Sequence, residues 1–182
     1  MSTTETLTIA PAGTWKLDPV HSTVTFGVDY LAGTFRGTFR AIAATLTTGE
    51  NGTARIEGAA KVASVDVKDE DLSAHLQSPD FFDAERHPEL RFSAEGIALD
   101  GESVTVRGEL EMKGVVKPGA VSGRFAPPIT DGYGNERLGL KLSTTVDRTA
   151  FGIDWNMPLP TGQPALSNDV SINAELQFVA AP

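Results

Sequence analysis

From Thr14 almost to the last residue, apolar and polar residues alternate with a period of two, the pattern of strands that bury one face and wet the other. In "STVTFGVDY", Val24, Phe26, Val28 and Tyr30 share a face opposite Thr23, Thr25 and Asp29. After the Ala32-Gly33 break, "TFRGTFRAIAATL" sets Phe35, Gly37 and Phe39 opposite Arg36, Thr38 and Arg40, so the two segments pair as a hairpin. Asn51-Gly52 suits a tight turn with positive φ and leads into "ARIEGAAKVASVDV". "ELRFSAEGIAL", the Asp100-Gly101 turn and "SVTVRGELEM" form a further hairpin, and "GAVSGRFAPPI", "ERLGLKLSTTVDR" and "DVSINAELQFV" bring the count to eight strands. Regular spacing and one-sided alternation give an all-β fold, either a closed antiparallel barrel or a sandwich.

One segment has helical features. "DEDLSAHLQS", about residues 69–77, begins with acids that suit a helix N-terminus and places Leu72 and Leu76 at i, i+4. Residues 149–168 contain Pro158, Pro160 and Pro164 and join the last two strands. A connection of that length is either a lid or a disordered link, and Trp155, Met157 and Leu159 favour a lid. Residues 1–13 are expected to form a flexible tail ahead of a single domain over 14–182.

Small residues recur on the inward faces: Gly37, Ala41, Gly58, Ala60, Ala94, Gly96, Gly108, Gly123 and Ala174, beside large ones such as Phe26, Phe39, Phe92, Leu110 and Phe178. They leave volume for a ligand inside a barrel, mark bulges and corners, or interlock with the large ones into a solid core. Alternation by itself leaves these readings open.

A net charge of −9 opposes phosphate backbones and anionic lipid surfaces, and the 15 basic residues form no stripe, so no nucleic-acid partner is expected. No apolar run is long enough to cross a bilayer, so stable membrane insertion is not expected either. "MSTTETLTIAPAGTW" has neither a basic n-region nor an apolar h-region, which makes a cytoplasmic location the expectation. The absence of cysteine excludes disulfides, thiolate metal sites and cysteine nucleophiles. G-x-S-x-G, Walker-type, H-E-x-x-H and G-x-G-x-x-G motifs are all missing. His21, His75 and His87 are irregularly spaced, and in "DPVHS" the bend at Pro19 suits Asp18 and Ser22 to turn amides better than to a triad with His21. Neither cofactor, metal nor catalytic residue is expected.

"HLQSPDFFDAERHPELRF" breaks the alternation, setting Phe81 and Phe82 among acids, histidines and prolines. That stretch belongs to a longer segment, "SVDVKDEDLSAHLQSPDFFDAERHPELRF". Together with "WKLDPVHSTVTFGV", "GTFRGTF", "VRGELEMKGVVKP" and "DRTAFGI", in this order over roughly residues 14–180, it resembles the YceI-like family of lipocalin-like, polyisoprenoid-binding proteins. The resemblance implies an eight-stranded antiparallel lipocalin-like barrel, a helix packed at one end, and an apolar cavity for an isoprenoid chain or similar amphiphilic lipid. Binding, storage or transport of a polyprenyl or quinone-like molecule, without catalysis, would be the function, and a homodimer the assembly to test. Many relatives carry a leader peptide, which the first residues here do not resemble.

Under that implication Leu76, Phe81 and Phe82 close or line the barrel mouth. Inward parity selects Phe26, Val28, Phe39, Phe92, Leu110, Phe125, Leu140 and Phe178 as ligand-lining residues. Arg36, Arg40 and Arg148 are the head-group candidates, Arg148 serving equally well as a buried ion-pair residue. Two other functions stay in play: an enzyme acting on a small lipid or quinone with His21 or His75 as general acid/base, and an interaction module with a solid barrel.

Overall fold

In the computed structural model, which describes residues 10–182, eleven strands fill eight positions of a closed antiparallel barrel. They are β1 (Gly13–Leu17), β2 (Thr23–Tyr30), β3 (Gly33–Phe39), β4 (Ile42–Thr48), β5 (Ala54–Lys61), β6 (Val65–Asp66), β7 (Glu89–Asp100), β8 (Ser103–Met112), β9 (Val115–Thr130), β10 (Glu136–Asp147) and β11 (Leu166–Ala180). The surplus arises because three positions are held by broken strands. β1 and β2 lie end to end along β11, β3 and β4 lie along β2 and β1, and β5 and β6 lie along β4 and β3. Every position is thus paired with its neighbours in sequence, and β11 returns to β1 to close the wall.

Each break is stabilised locally. Between β1 and β2, Asp18 Oδ1 accepts the Val20 amide at 3.0 Å, and Ser22 Oγ accepts the Gln177 amide of β11 at 3.0 Å. The hydroxyl of Ser22 thereby stands in for a ladder partner that the bend removes. Between β5 and β6 a 3₁₀ turn, Val62–Ser64, breaks the strand, and Ser64 donates to Lys61 O at 2.6 Å. Between β3 and β4, the Arg40 amide donates to Ser64 O, which joins the second and third breaks.

The helix α1 (Glu70–Gln77) is capped by Asp69, whose side chain accepts the Leu72 amide. It covers one end of the barrel, called here the upper end. The Lys113-Gly114 turn joining β8 to β9 and a 3₁₀ turn at Arg148–Phe151 lie at the same end. Lys113 and Gly114 both have positive φ, the requirement of the two-residue hairpin turn that matches strand twist.

Of residues 10–13, read from sequence as part of a tail, Ala10 is buried, Thr48 Oγ1 donates to Pro11 O and Gly13 opens β1. Residues 1–9 lie outside the described residues. Segment 149–168 is ordered, with Pro158 and Pro164 bridged antiparallel. Gly96, assigned inward by alternation, is instead exposed in a β7 bulge between Ala94 and Ile97. Among the described residues no helix is long and apolar enough to cross a membrane.

Apolar side chains form two storeys. The lower one gathers Trp15, Leu46, Val104, Val106, Leu138, Leu140 and Phe178 into a filled core, with Ile56 and Leu142 of the same cluster reaching the cavity floor. Phe26, Val28, Phe39, Leu76, Phe81, Met112, Phe151 and Ile153 make up the upper one, which surrounds open space.

Candidate functional site

The upper storey encloses a cavity of about 970 Å³, close to the top of the range of roughly 300–1,000 Å³ usual for small-molecule sites. Phe26, Val28, Phe39, Phe92 and Leu110 project from the strands into it, as inward parity predicts. Leu72, His75 and Leu76 of α1, then Phe81, Phe82, Phe151, Ile153 and Trp155, form its roof. An i, i+4 pair on α1 therefore serves two ends, holding the helix to the barrel and giving the cavity an apolar ceiling.

Glycine is not the source of this volume in every case. At Gly37 an added Cβ would meet the Phe26 ring at 2.6 Å, so the glycine makes room for an aromatic neighbour. At Gly58 an added Cβ would find only ordinary contacts at 3.6 Å, and this glycine does leave space.

The two phenylalanines that interrupt the sequence pattern have different neighbours. Phe81 is buried and packs against His75, ring centroids 4.9 Å apart, and against Trp155 at 5.4 Å. Phe82 meets Phe26 and Phe39 edge-on. One ring binds the roof together and the other faces the strands, and both touch the cavity.

Phe125, Leu140 and Phe178 do not line it. All three are buried and inward, but they lie in the lower core. Parity fixes which side of a strand a residue takes and leaves its height along the barrel undetermined. Arg36 is exposed on the outer face of β3, and Arg40, exposed in the break that follows it, pairs with Asp66 at 3.3 Å, so neither reaches the cavity.

Arg148 is part of the cavity wall and only 3% exposed. Its Nε donates to Ser167 O at 2.8 Å, and Nη1 donates to Ile153 O at 2.9 Å and Trp155 O at 2.8 Å. These bonds fix the path of the roof segment. Nη2 has no partner and is the one buried side-chain nitrogen or oxygen so placed among the described residues. Burial pushes the guanidinium pKa down, opposed by the charges of Asp147 and Asp154. The ion-pair role open from sequence is not what holds Arg148, since all its hydrogen bonds go to backbone carbonyls.

His21 lies outside the cavity wall, 2.7 Å from Asp18, while His75 is in the wall with Nε2 3.0 Å from Asp80. Ser22 points to β11 and Asp18 to Val20, His21 and Arg137, so "DPVHS" forms no triad. Among the described residues no group of three His, Cys, Asp or Glu side chains could hold a metal. Sequence reasoning missed Phe35, Leu90 and Met112 as lining residues, although the parity that selected Phe26, Phe92 and Leu110 includes them. It also missed Lys117, which the strand pattern conceals because a lysine on an inward face has no apolar signature.

The sequence matches the family described as YceI-like domain over residues 15–178. It is 30% identical over 174 residues to UPF0312 protein PputGB1_5030 of Pseudomonas putida, covering 92% of this chain and 89% of that one. Protein YceI of Escherichia coli is 25% identical over 171 residues, covering 91% and 87% respectively. Among solved structures, Burkholderia cenocepacia BcnA superposes with a TM-score of 0.74 at 21% identity, over 88% of this chain and 98% of that one. A polyisoprenoid binding domain from Saccharophagus degradans, implicated in plant cell wall breakdown, superposes with a TM-score of 0.64 at 13% identity, over 92% and 98%.

Proposed function

Given that the chain belongs to the YceI-like family, we propose that it binds an isoprenoid or similar amphiphilic lipid without chemical conversion, acting as a carrier or store. The tail occupies the upper cavity, and an oxygen acceptor at the polar end takes the Nη2 hydrogen bond of Arg148. The observation that carries this reading is the orphan Nη2 of a residue set in a predominantly apolar wall. A buried donor without an acceptor costs about 1–3 kcal/mol, more when charged, and a ligand oxygen removes that cost. Each CH₂ of the tail withdrawn from water adds about 0.8 kcal/mol. The likeness of the fold to the polyisoprenoid binding domain from Saccharophagus degradans supports the ligand class.

Mass spectrometry of the protein under native conditions and after organic extraction tests the reading. A stoichiometric prenyl or fatty species released on denaturation supports it. A protein that comes away empty and ignores added polyprenol and long-chain quinone sinks it, and leaves the interaction module. Titration with chains matched in length then tests the polar contact: a chain ending in a carbonyl should bind at least about tenfold more tightly than the plain hydrocarbon, as a charge-assisted hydrogen bond of about 1.5–3 kcal/mol requires. Equal affinities would remove Arg148 from the site. His75, bonded to Asp80 in the wall, is where an acid/base alternative would stand. Conversion of bound quinone that disappears in His75→Ala would replace binding by catalysis.

A further inference from the structure

β9 remains paired with β8 from Arg124 up to Val115, and β10 remains paired with β11 up to Asp147. Between β9 and β10 the ladder ends at Ser122 opposite Ser143. Above that level residues 115–121 and 144–147 flank a stretch of wall in which neither strand pairs with the other. The opening has defined corners. Below, Thr144 Oγ1 donates to Ala120 O at 3.0 Å. Above, Lys113 Nζ reaches across to Gly152 O at 3.4 Å while donating to Pro79 O at 2.5 Å.

Pro118 has no amide hydrogen to offer β10, and Val116, Lys117, Pro118, Gly119 and Ala120 are all exposed, as a row of residues on a parted strand must be. The same flanks also line the cavity, Lys117 and Gly119 from one side, Thr144 and Val146 from the other. Counting back by twos from buried Phe125 puts Gly123, Val121, Gly119 and Lys117 on the inner face, and Lys117 stands opposite inward Leu110. Both edges of an unpaired, solvent-reached gap therefore open on the apolar interior, and the gap carries an inward lysine on one side. Arg148 follows directly on the β10 edge.

We propose that amphiphiles enter and leave the cavity sideways, through this window between β9 and β10, and that Lys117 is the rim contact for an anionic head group. The proposal rests on the lipid-binding reading and adds the route and a charge preference to it. The α1 roof then stays in place during exchange. A chain slides past Gly119, where there is nothing for a side chain to meet within 4 Å.

That open space supplies the test. Gly119→Trp places an indole in the window with ordinary φ and no backbone clash, so the barrel folds, as a thermal melt checks. Trans-parinaric acid, whose fluorescence rises in apolar surroundings, is followed by stopped flow for association and by displacement for dissociation. Both rates are expected to fall together, at least about tenfold, with the dissociation constant unchanged. Rates equal to wild type would overturn the window. A weaker equilibrium affinity at unchanged dissociation rate would put the indole inside the cavity, and the smaller Gly119→Leu is then judged by the same two rates. Lys117→Gln should slow association of parinaric acid severalfold and leave parinaryl alcohol unaffected; equal effects on both remove the charge preference. A wild type that binds neither probe removes the lipid-binding reading itself, whereas a wild type that binds and a Gly119→Trp variant that exchanges as fast removes the window alone.

Discussion

The ring of Phe82 stands edge-on to that of Phe39, centroids 5.7 Å apart and planes at 71°. Phe82 makes a similar contact with Phe26 at 6.1 Å and is half-buried, whereas Phe81 is buried between His75 and Trp155. Truncating a buried phenylalanine costs about 3–5 kcal/mol. Phe81→Ala should reach that range in urea unfolding, and Phe82→Ala should cost less, because part of the ring already faces open space. Phe82→Ala should also let the cavity accept a bulkier chain. Equal stability losses would put the two rings in the same structural role.

Gly58 offers a way to shorten the cavity without disturbing the barrel. Its added Cβ meets nothing closer than 3.6 Å, and cross-strand pairing with Phe92 aims it inward. Gly58→Leu should leave stability within about 1 kcal/mol of wild type, since losing a strand glycine offsets any crowding. In titrations across chain lengths, the longest ligands should lose affinity first. Gly123 is the contrasting case, because an added Cβ there would overlap Lys141 O. Gly123→Ala should destabilise by about 1–3 kcal/mol or more.

Arg137 sits between two carboxylates, 2.7 Å from Asp131 and 2.8 Å from Asp18. Its hydrogen bonds hold both carboxyls well below their ordinary range, and His21 adds to the effect at Asp18. A depressed carboxyl pKa contributes stability that is complete above the ordinary value, about 4, and drains away as pH falls through the depressed one. Arg137→Met should therefore lower the melting temperature by a few degrees at neutral pH. The difference from wild type should shrink steadily once the pH drops below about 4. A difference that stays constant down to the most acidic measurable pH would show that Arg137 acts by packing alone.

Leu140 is fully buried in the lower storey, away from the cavity. Leu140→Ala should cost about 2–5 kcal/mol and leave the accepted chain length unchanged, as chemical denaturation and ligand titration would each register. A change in ligand preference would mean that the lower core and the cavity are one space.

How far the sequence carries this picture depends on which dimension is asked about. Alternation found all eight wall positions, because a period of two is a property of each strand alone. It ran "TFRGTFRAIAATL" as one strand where the chain breaks at Arg40 and Ala41, since a kink of two residues barely perturbs the pattern. The side of the apolar strand residues chosen by parity was legible, and Phe125, Leu140 and Phe178 do point inward. Their height was not, because it depends on register and stagger between strands far apart in sequence. Arg148 was visible as a conspicuous charge in "DRTAFGI", but its three carbonyl partners come from the irregular segment that follows and from the start of β11. The window was hidden for the same reason, being a property of the relation between β9 and β10 and not of either one; Pro118 is the sole local sign of it.

The three strand breaks also lie side by side across neighbouring wall positions, with the Arg40 amide bonded to Ser64 O and the Lys61 amide to Ala41 O where two of them meet. A fault line thus crosses part of the cavity wall, with Leu17, Ala44 and Gly58 lining the cavity below it and Val24, Phe26 and Phe39 above it. Local opening above it exposes little of the lower core, so the upper side of the break is free to fluctuate while the lower side keeps the barrel closed. Opening and closure are thus divided between the two sides of the break.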